Sequence, residues 1–159
     1  LNMIGAIEKI DGGKILVDSV DISKRKHLLD YYRNTVGFLF QNFALVDNKT
    51  VKQNLEMVTK KYRNNITIEE VLKKVGLEAK LDETIYKLSG GEQQRVALAR
   101  LMLKKCSIIL ADEPTGSLDR ENADIVISIL KELKNMGKTI IMVTHDKTLH
   151  QVGDRLINL

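Results

Sequence analysis

The chain has 159 residues, 43% hydrophobic and 29% charged, with a net charge of +4 from 25 basic and 21 acidic side chains. That balance supports one folded domain with a real core and excludes a wholly disordered chain. Basic residues are interleaved with acids and only Phe and Tyr supply aromatic rings, so a nucleic-acid groove of basic stripes and stacking platforms is not indicated.

No stretch approaches the roughly 20 apolar residues of a membrane-spanning helix, and no secretory leader is visible. The single cysteine, Cys106, cannot form an internal disulfide; it fits a reducing compartment and a small core position beside an apolar strand. The sequence opens at Leu1 in mid-pattern, with no initiator methionine and no helix cap, and reads as a piece of something longer.

In chain order, Lys14 to Asp18 and Val20 to Ser23 read as a short antiparallel pair. Val36 to Phe40 is the first buried strand. Residues 48 to 87 form a mainly helical insert. Its helices are expected at Val51 to Lys61 and at Ile68 to Val75, the second opened by a Thr67/Glu70 capping box and closed by Gly76. A long helix follows Ser89. Ser107 to Ala111 and Thr139 to Val143 are apolar almost without alternation, as when helices cover both faces of a parallel sheet. Between them, Ala123, Val126, Ile127, Leu130 and Leu133 recur at helical spacing within Glu121 to Met136, and Gly137 supplies a stop. Arg155 to Leu159 is the last strand expected. Strand, helix, strand makes a βαβ unit, so the fold class is α/β.

Three stretches carry chemistry. In SIILADEPTGSLD, residues 107 to 119, an apolar strand ends in adjacent acids, Asp112 and Glu113, at the carboxyl edge where α/β sheets bind ligands. Two neighbouring acids repel unless one faces a hydrated Mg²⁺ and the other orients a water, the division of labour in phosphoryl transfer. The bland reading is a polar strand end with helix-capping acids. In LSGGEQQRVALAR, residues 88 to 100, Ser89, Gly90 and Gly91 precede a helix, so backbone N–H groups and the helix dipole can meet an anion. The bland reading there is a Ser-capped helix after a Gly-Gly turn. In IIMVTHD, residues 140 to 146, His145 follows a buried strand and points to the same sheet edge as Glu113. His27 and His150 have no such setting and read as surface residues.

Together these stretches resemble the nucleotide-binding subunit of ABC transporters. LSGGEQQ is similar to the family signature, IILADEP to the Walker B strand, SLD at Ser117 to Asp119 to the D-loop, and FLFQN supplies a Q-loop glutamine, Gln41. The resemblance implies a P-loop NTPase-like, mainly parallel sheet flanked by helices, with a helical subdomain insert. It implies a partial core over 1–47, the helical subdomain over 48–87, and the signature helix with a RecA-like core over 88–159. It implies ATP and Mg²⁺ as cofactors. Asp112 and Gln41 would serve the metal, and Glu113, His145 and Gln41 the catalysis. Ser89, Gly90, Gly91, Gln93 and Asp119 would be the nucleotide-binding residues, with Ser89 and Gly91 touching the γ-phosphate of ATP held by the opposite subunit of a head-to-tail dimer and Asp119 communicating between the two sites. For Asp119 a helix N-cap role is compatible with this. The implied partners are a second such subunit and a transmembrane permease, at the cytoplasmic face of the membrane. QNFALVDNKTVKQNL, residues 41 to 55, is similar to exporters of the macrolide, lipoprotein-release and bacteriocin class. Alternatives are a soluble ABC-type ATPase of DNA repair or translation, and a non-catalytic module completing a partner's site.

Gly12-Gly13-Lys14 has the Gly-Lys pair of a phosphate-binding loop. Such a loop needs Gly, four residues, then Gly-Lys-Ser/Thr and a helix. Here Glu8 stands at the first glycine position, Ile15 at the hydroxyl position, and an extended run follows. The stretch reads as a turn. LNMIG resembles the tail of the helix that follows the Walker A loop, so the cradle and its strands are expected to lie before Leu1. This piece alone is then expected to have no useful ATP affinity, no turnover, and a tendency to self-associate through uncovered sheet.

Overall fold

The computed structural model describes residues 1–158 and shows a three-stranded parallel sheet and a two-stranded antiparallel ribbon. The ribbon pairs β1 (Leu16–Val17) with β2 (Val20–Asp21). It lies within the antiparallel pair expected from sequence, with shorter strands. Before it, Gly13 adopts φ +80°, a left-handed conformation that glycine takes at little cost, and β-structure rather than a helix follows. Gly12-Gly13-Lys14 is therefore a bend, as the motif count requires.

Next come α1 (Arg25–Asp30) and a π-helical turn over Tyr31–Thr35, which lead directly into β3 (Val36–Leu39). The Tyr31 hydroxyl donates to Ile4 O at 2.9 Å and the Tyr32 hydroxyl to Ala6 O at 2.6 Å, which ties the first residues down. Those residues wind through one helical turn, with Gly5 N–H donating to Leu1 O at 3.0 Å.

The segment after β3 holds α2 (Val51–Glu56) and α3 (Ile68–Lys74). Both open with capping boxes, Thr50 with Gln53 and Thr67 with Glu70, each satisfying two orphan N-terminal donors. The helix expected to run from Val51 to Lys61 ends early. The chain turns after Met57 and resumes as a 3₁₀ turn at Lys60–Tyr62, where the Arg63 guanidinium donates to Val58 O at 2.6 Å. That bond replaces the helical partner the carbonyl would have had.

The long helix is α4 (Gly90–Leu103), buried on nearly every side: Val96, Leu98, Leu101, Met102 and Leu103 are all in the core. The apolar residues of its second half need cover on several sides, and α4 is packed by α2, α3, α5 and the sheet. Each of its large side chains contributes roughly 1.5–3 kcal/mol of burial.

β4 (Ile108–Asp112), α5 (Arg120–Asn135) and β5 (Thr139–Val143) complete the predicted βαβ unit. The parallel order is β3-β4-β5, with Val36 level with Ile108 and Thr139. One core lies between the sheet and α4–α5. A smaller one on the opposite face gathers Ile22, Tyr31, Val36 and Leu110. The strand expected at Arg155 to Leu159 is not formed: 155–158 carry no regular structure, and Leu159 lies outside the described residues. β5 bonds only β4 among the described residues, so nothing stands beside it to extend the ladder. His27 and His150 are half-buried rather than fully exposed.

Candidate functional site

All three parallel strands deliver their carboxyl ends to one edge, which brings Gln41, Asp112, Glu113 and His145 to the same side of the sheet. β4 ends at Asp112, level with Val143, and the ladder continues one step as Glu113 N–H donates to Val143 O at 2.9 Å. Glu113 then turns out of the strand with φ +44°, an unfavourable conformation for a residue with a side chain.

The Glu113 carboxylate is held from both sides. Its Oε1 accepts the backbone N–H of His145 at 2.7 Å, and its Oε2 accepts the Thr144 hydroxyl at 3.2 Å. The His145 imidazole Nε2 stands 3.7 Å from Oε1, with its side chain 97% exposed while that of Glu113 is 18% exposed. The glutamate is thus fixed by the chain beyond β5 and the ring remains open to a ligand. Thr144 also accepts Asp146 N–H at 3.0 Å, which shapes the turn. Sequence reasoning did not single out Thr144, although it lies inside IIMVTHD.

Gln41 lies just past β3 on the exposed start of the following loop. Neither its side chain nor that of Asp112 makes a hydrogen bond or ion pair within the described residues. Their oxygens are uncommitted.

A second group forms where α4 and α5 begin. Ser89 caps α4, its Oγ accepting Glu92 N–H at 3.2 Å while Glu92 accepts Ser89 N–H at 2.8 Å. With Oγ acting as acceptor, its hydroxyl hydrogen stays available. The N–H groups of Gly90 and Gly91 have no partner among the described residues, as expected in a first helical turn. Gln93 differs: its Nε2 donates to Ile85 O at 3.3 Å and Leu88 O at 3.0 Å, so only its Oε1 is left for a ligand.

Gly91 is required by packing. A Cβ there would lie 2.4 Å from Asn122 Cγ. Asn122 in turn joins the two helices: its Oδ1 accepts Arg95 at 2.6 Å, and its Nδ2 donates to Asp119 at 2.8 Å. Asp119 caps α5 by accepting Asn122 N–H at 2.9 Å, which holds its carboxyl below the usual range. The expected N-cap is therefore present. A last bond links the groups: Gln94, buried in α4, donates to Pro114 O at 2.7 Å, directly after Glu113. Asn122 and Gln94 carried no sequence signal of their own, because their partners are distant in the chain.

Comparison with known proteins matches residues 1–116 to the ABC transporter family model. The chain belongs to the ABC transporter ATP-binding family. It is 39% identical to the uncharacterized ABC transporter ATP-binding protein YvrO of Bacillus subtilis, covering 99% of this chain and 72% of that protein. It is also 39% identical to the macrolide export ATP-binding/permease protein MacB of Campylobacter fetus, covering all of this chain but 26% of MacB. Among solved structures, the dimeric bacterial ABC transporter cassette MJ0796 superposes with a TM-score of 0.83 at 34% identity, over 96% of this chain and 71% of that one. A second structure of MJ0796, in a post-hydrolysis state with ADP and Pi, matches equally well. The α/β cassette fold is thereby established for this chain. Within the described residues no helix is long and apolar enough to cross a membrane. Asp119 and His145 lie beyond the family-model match, though within the stretch covered by the relatives.

Proposed function

We propose that this ABC cassette binds and hydrolyses ATP to drive a membrane transporter of the export class, working as a head-to-tail pair against a permease at the cytoplasmic face. The observation that carries the reading is the Glu113 carboxylate, aimed from the strand end by His145 N–H and the Thr144 hydroxyl, beside an uncommitted Asp112.

In this reading Glu113 accepts a hydrogen bond from the attacking water and takes its proton, while the exposed His145 ring meets the γ-phosphate. The donors at the site fit Mg²⁺: hard oxygens from Asp112 and Gln41, few enough to leave most of an octahedral shell to water and phosphate. Bound there, Mg²⁺ would offset charge on the phosphate oxygens. The Ser89 hydroxyl and the free N–H groups of Gly90 and Gly91 serve the nucleotide of the opposite subunit. Gln93 would contribute through its Oε1, and Asp119 would link the two sites through Asn122. The division into a core over 1–47 and 88–159, with a helical subdomain over 48–87, belongs to the same reading. MacB carries its macrolide-export name together with a permease, and this chain is assigned a partner of that kind.

The 159 residues contain no Gly-x₄-Gly-Lys-Ser/Thr loop, the main anchor for β- and γ-phosphates. By itself, then, this stretch binds Mg-ATP weakly and does not turn it over. Calorimetric titration tests this: a dissociation constant in the micromolar range or below, about −8 kcal/mol, would contradict it. Steady-state ATPase of the complete cassette, about 10³-fold lower in Glu113→Gln, tests the catalytic assignment.

A further inference from the structure

Two non-glycine residues just beyond Gln41 sit in left-handed backbone, Phe43 at φ 61° and Ala44 at φ 47°. L-residues avoid this region because Cβ crowds the carbonyl, so consecutive occupancy needs an outside hold. The hold comes from α4. One guanidinium nitrogen of Arg100 donates to Ala44 O at 2.7 Å and the other to Phe43 O at 3.1 Å. Arg100 makes no ion pair among the described residues, and burial lowers its pKa. A half-buried cation is thus satisfied by two main-chain carbonyls and by no acid. A planar fork can bond both at once, which a lysine ammonium does less well.

The same turn touches the other end of the helix. The Phe43 ring comes within 4.0 Å of where a side chain on Gly90 would begin. Segment 43–44 is therefore fixed to α4 at its last turn through Arg100 and lies against the glycine-rich start that Ser89 caps.

We propose that Arg100 is a positioning residue for ATP hydrolysis, clamping the strained Phe43–Ala44 turn so that Gln41 is set relative to the glycine-rich start of α4. This rests on the nucleotide reading above. Gln41 attends the chain's own nucleotide and Ser89 to Gly91 the partner's, so the clamp makes the two move as one body. Releasing it loosens Gln41 without removing any group that contacts ATP.

The test combines amide hydrogen exchange on this chain with ATPase kinetics of the complete cassette. In Arg100→Met, exchange at Phe43 to Leu45 quickens about tenfold with α4 and β4 unchanged, and kcat falls about tenfold with KM for ATP nearly constant. Arg100→Lys recovers part of both. Ala44→Gly added to Arg100→Met also recovers part, because glycine accepts that φ without a clamp. Unchanged loop exchange, a change in KM alone, or no rescue by either variant overturns the proposal. Should Arg100→Met not fold, Arg100→Lys alone with the same readouts decides it. A complete cassette without ATPase activity would refute the nucleotide reading, and the exchange data would still decide the clamp.

Discussion

Glu113 is held by the main chain of His145 and not by its ring: the N–H donates to Oε1 at 2.7 Å, while Nε2 stands 3.7 Å away. The two residues therefore separate on mutation. If Glu113 takes the proton of the attacking water, as proposed, Glu113→Gln lowers ATPase kcat of the complete cassette about 10³-fold. His145→Ala leaves the backbone donor in place and costs less, about 10- to 100-fold. Steady-state rates of the two variants check the order.

Thr144 contributes one hydroxyl bond to the same carboxylate. Thr144→Val keeps the shape and loses that bond, worth about 1 kcal/mol or roughly fivefold in rate. Thr144→Ser retains the rate. Equal rates for the valine and serine variants would remove the residue from the site.

Gly91→Ala places a methyl group against Asn122, where a Cβ would sit 2.4 Å from Cγ. The overlap is predicted to destabilise by about 1–3 kcal/mol, read as a lower urea midpoint. Asn122→Ala in the same chain relieves the clash and restores part of the loss, although the Asp119 contact goes with it.

The Glu92 carboxyl is held below its ordinary 4.5, chiefly by the backbone N–H of Ser89. Its folded value being the lower one, the stabilisation is complete above 4.5 and disappears as pH falls through that folded value. Urea midpoints measured downward from about pH 6 to about pH 3 fall less steeply in Glu92→Gln, which keeps an acceptor for the capping box without titrating.

β5 reads Thr-Ile-Ile-Met-Val, with Val143 38% exposed, and it bonds only β4 among the described residues. An apolar unpaired edge recruits other chains. The 159-residue chain is expected to elute as an associated species in concentrated size-exclusion runs, and Val143→Lys is expected to shift it toward monomer.

Much of this architecture was local and hence legible. Apolar runs at Ser107 to Ala111 and Thr139 to Val143 foretold β4 and β5, because a strand covered on both faces has no polar side to show. Thr67 and Glu70 announced α3 through bonds that span one helical turn. The helix from Val51 is shorter than its sequence pattern predicts because its end depends on Arg63 reaching Val58 O, a contact that periodicity does not register. The family motifs led to Gln41, Asp112, Glu113 and His145, while Thr144, Asn122 and the Arg100 clamp passed unnoticed.

Composition and spacing by themselves determined the α/β class and the parallel unit, and the quoted motifs carried the resemblance to the family, since each is written in contiguous residues. Folding decided the rest. Which atom of His145 holds Glu113, why Gly91 admits no side chain, and what fixes the turn after Gln41 all depend on groups far apart in the chain. So does the fate of Arg155 to Asn158: an apolar run becomes a strand only where a neighbouring ladder takes up its N–H and C=O groups.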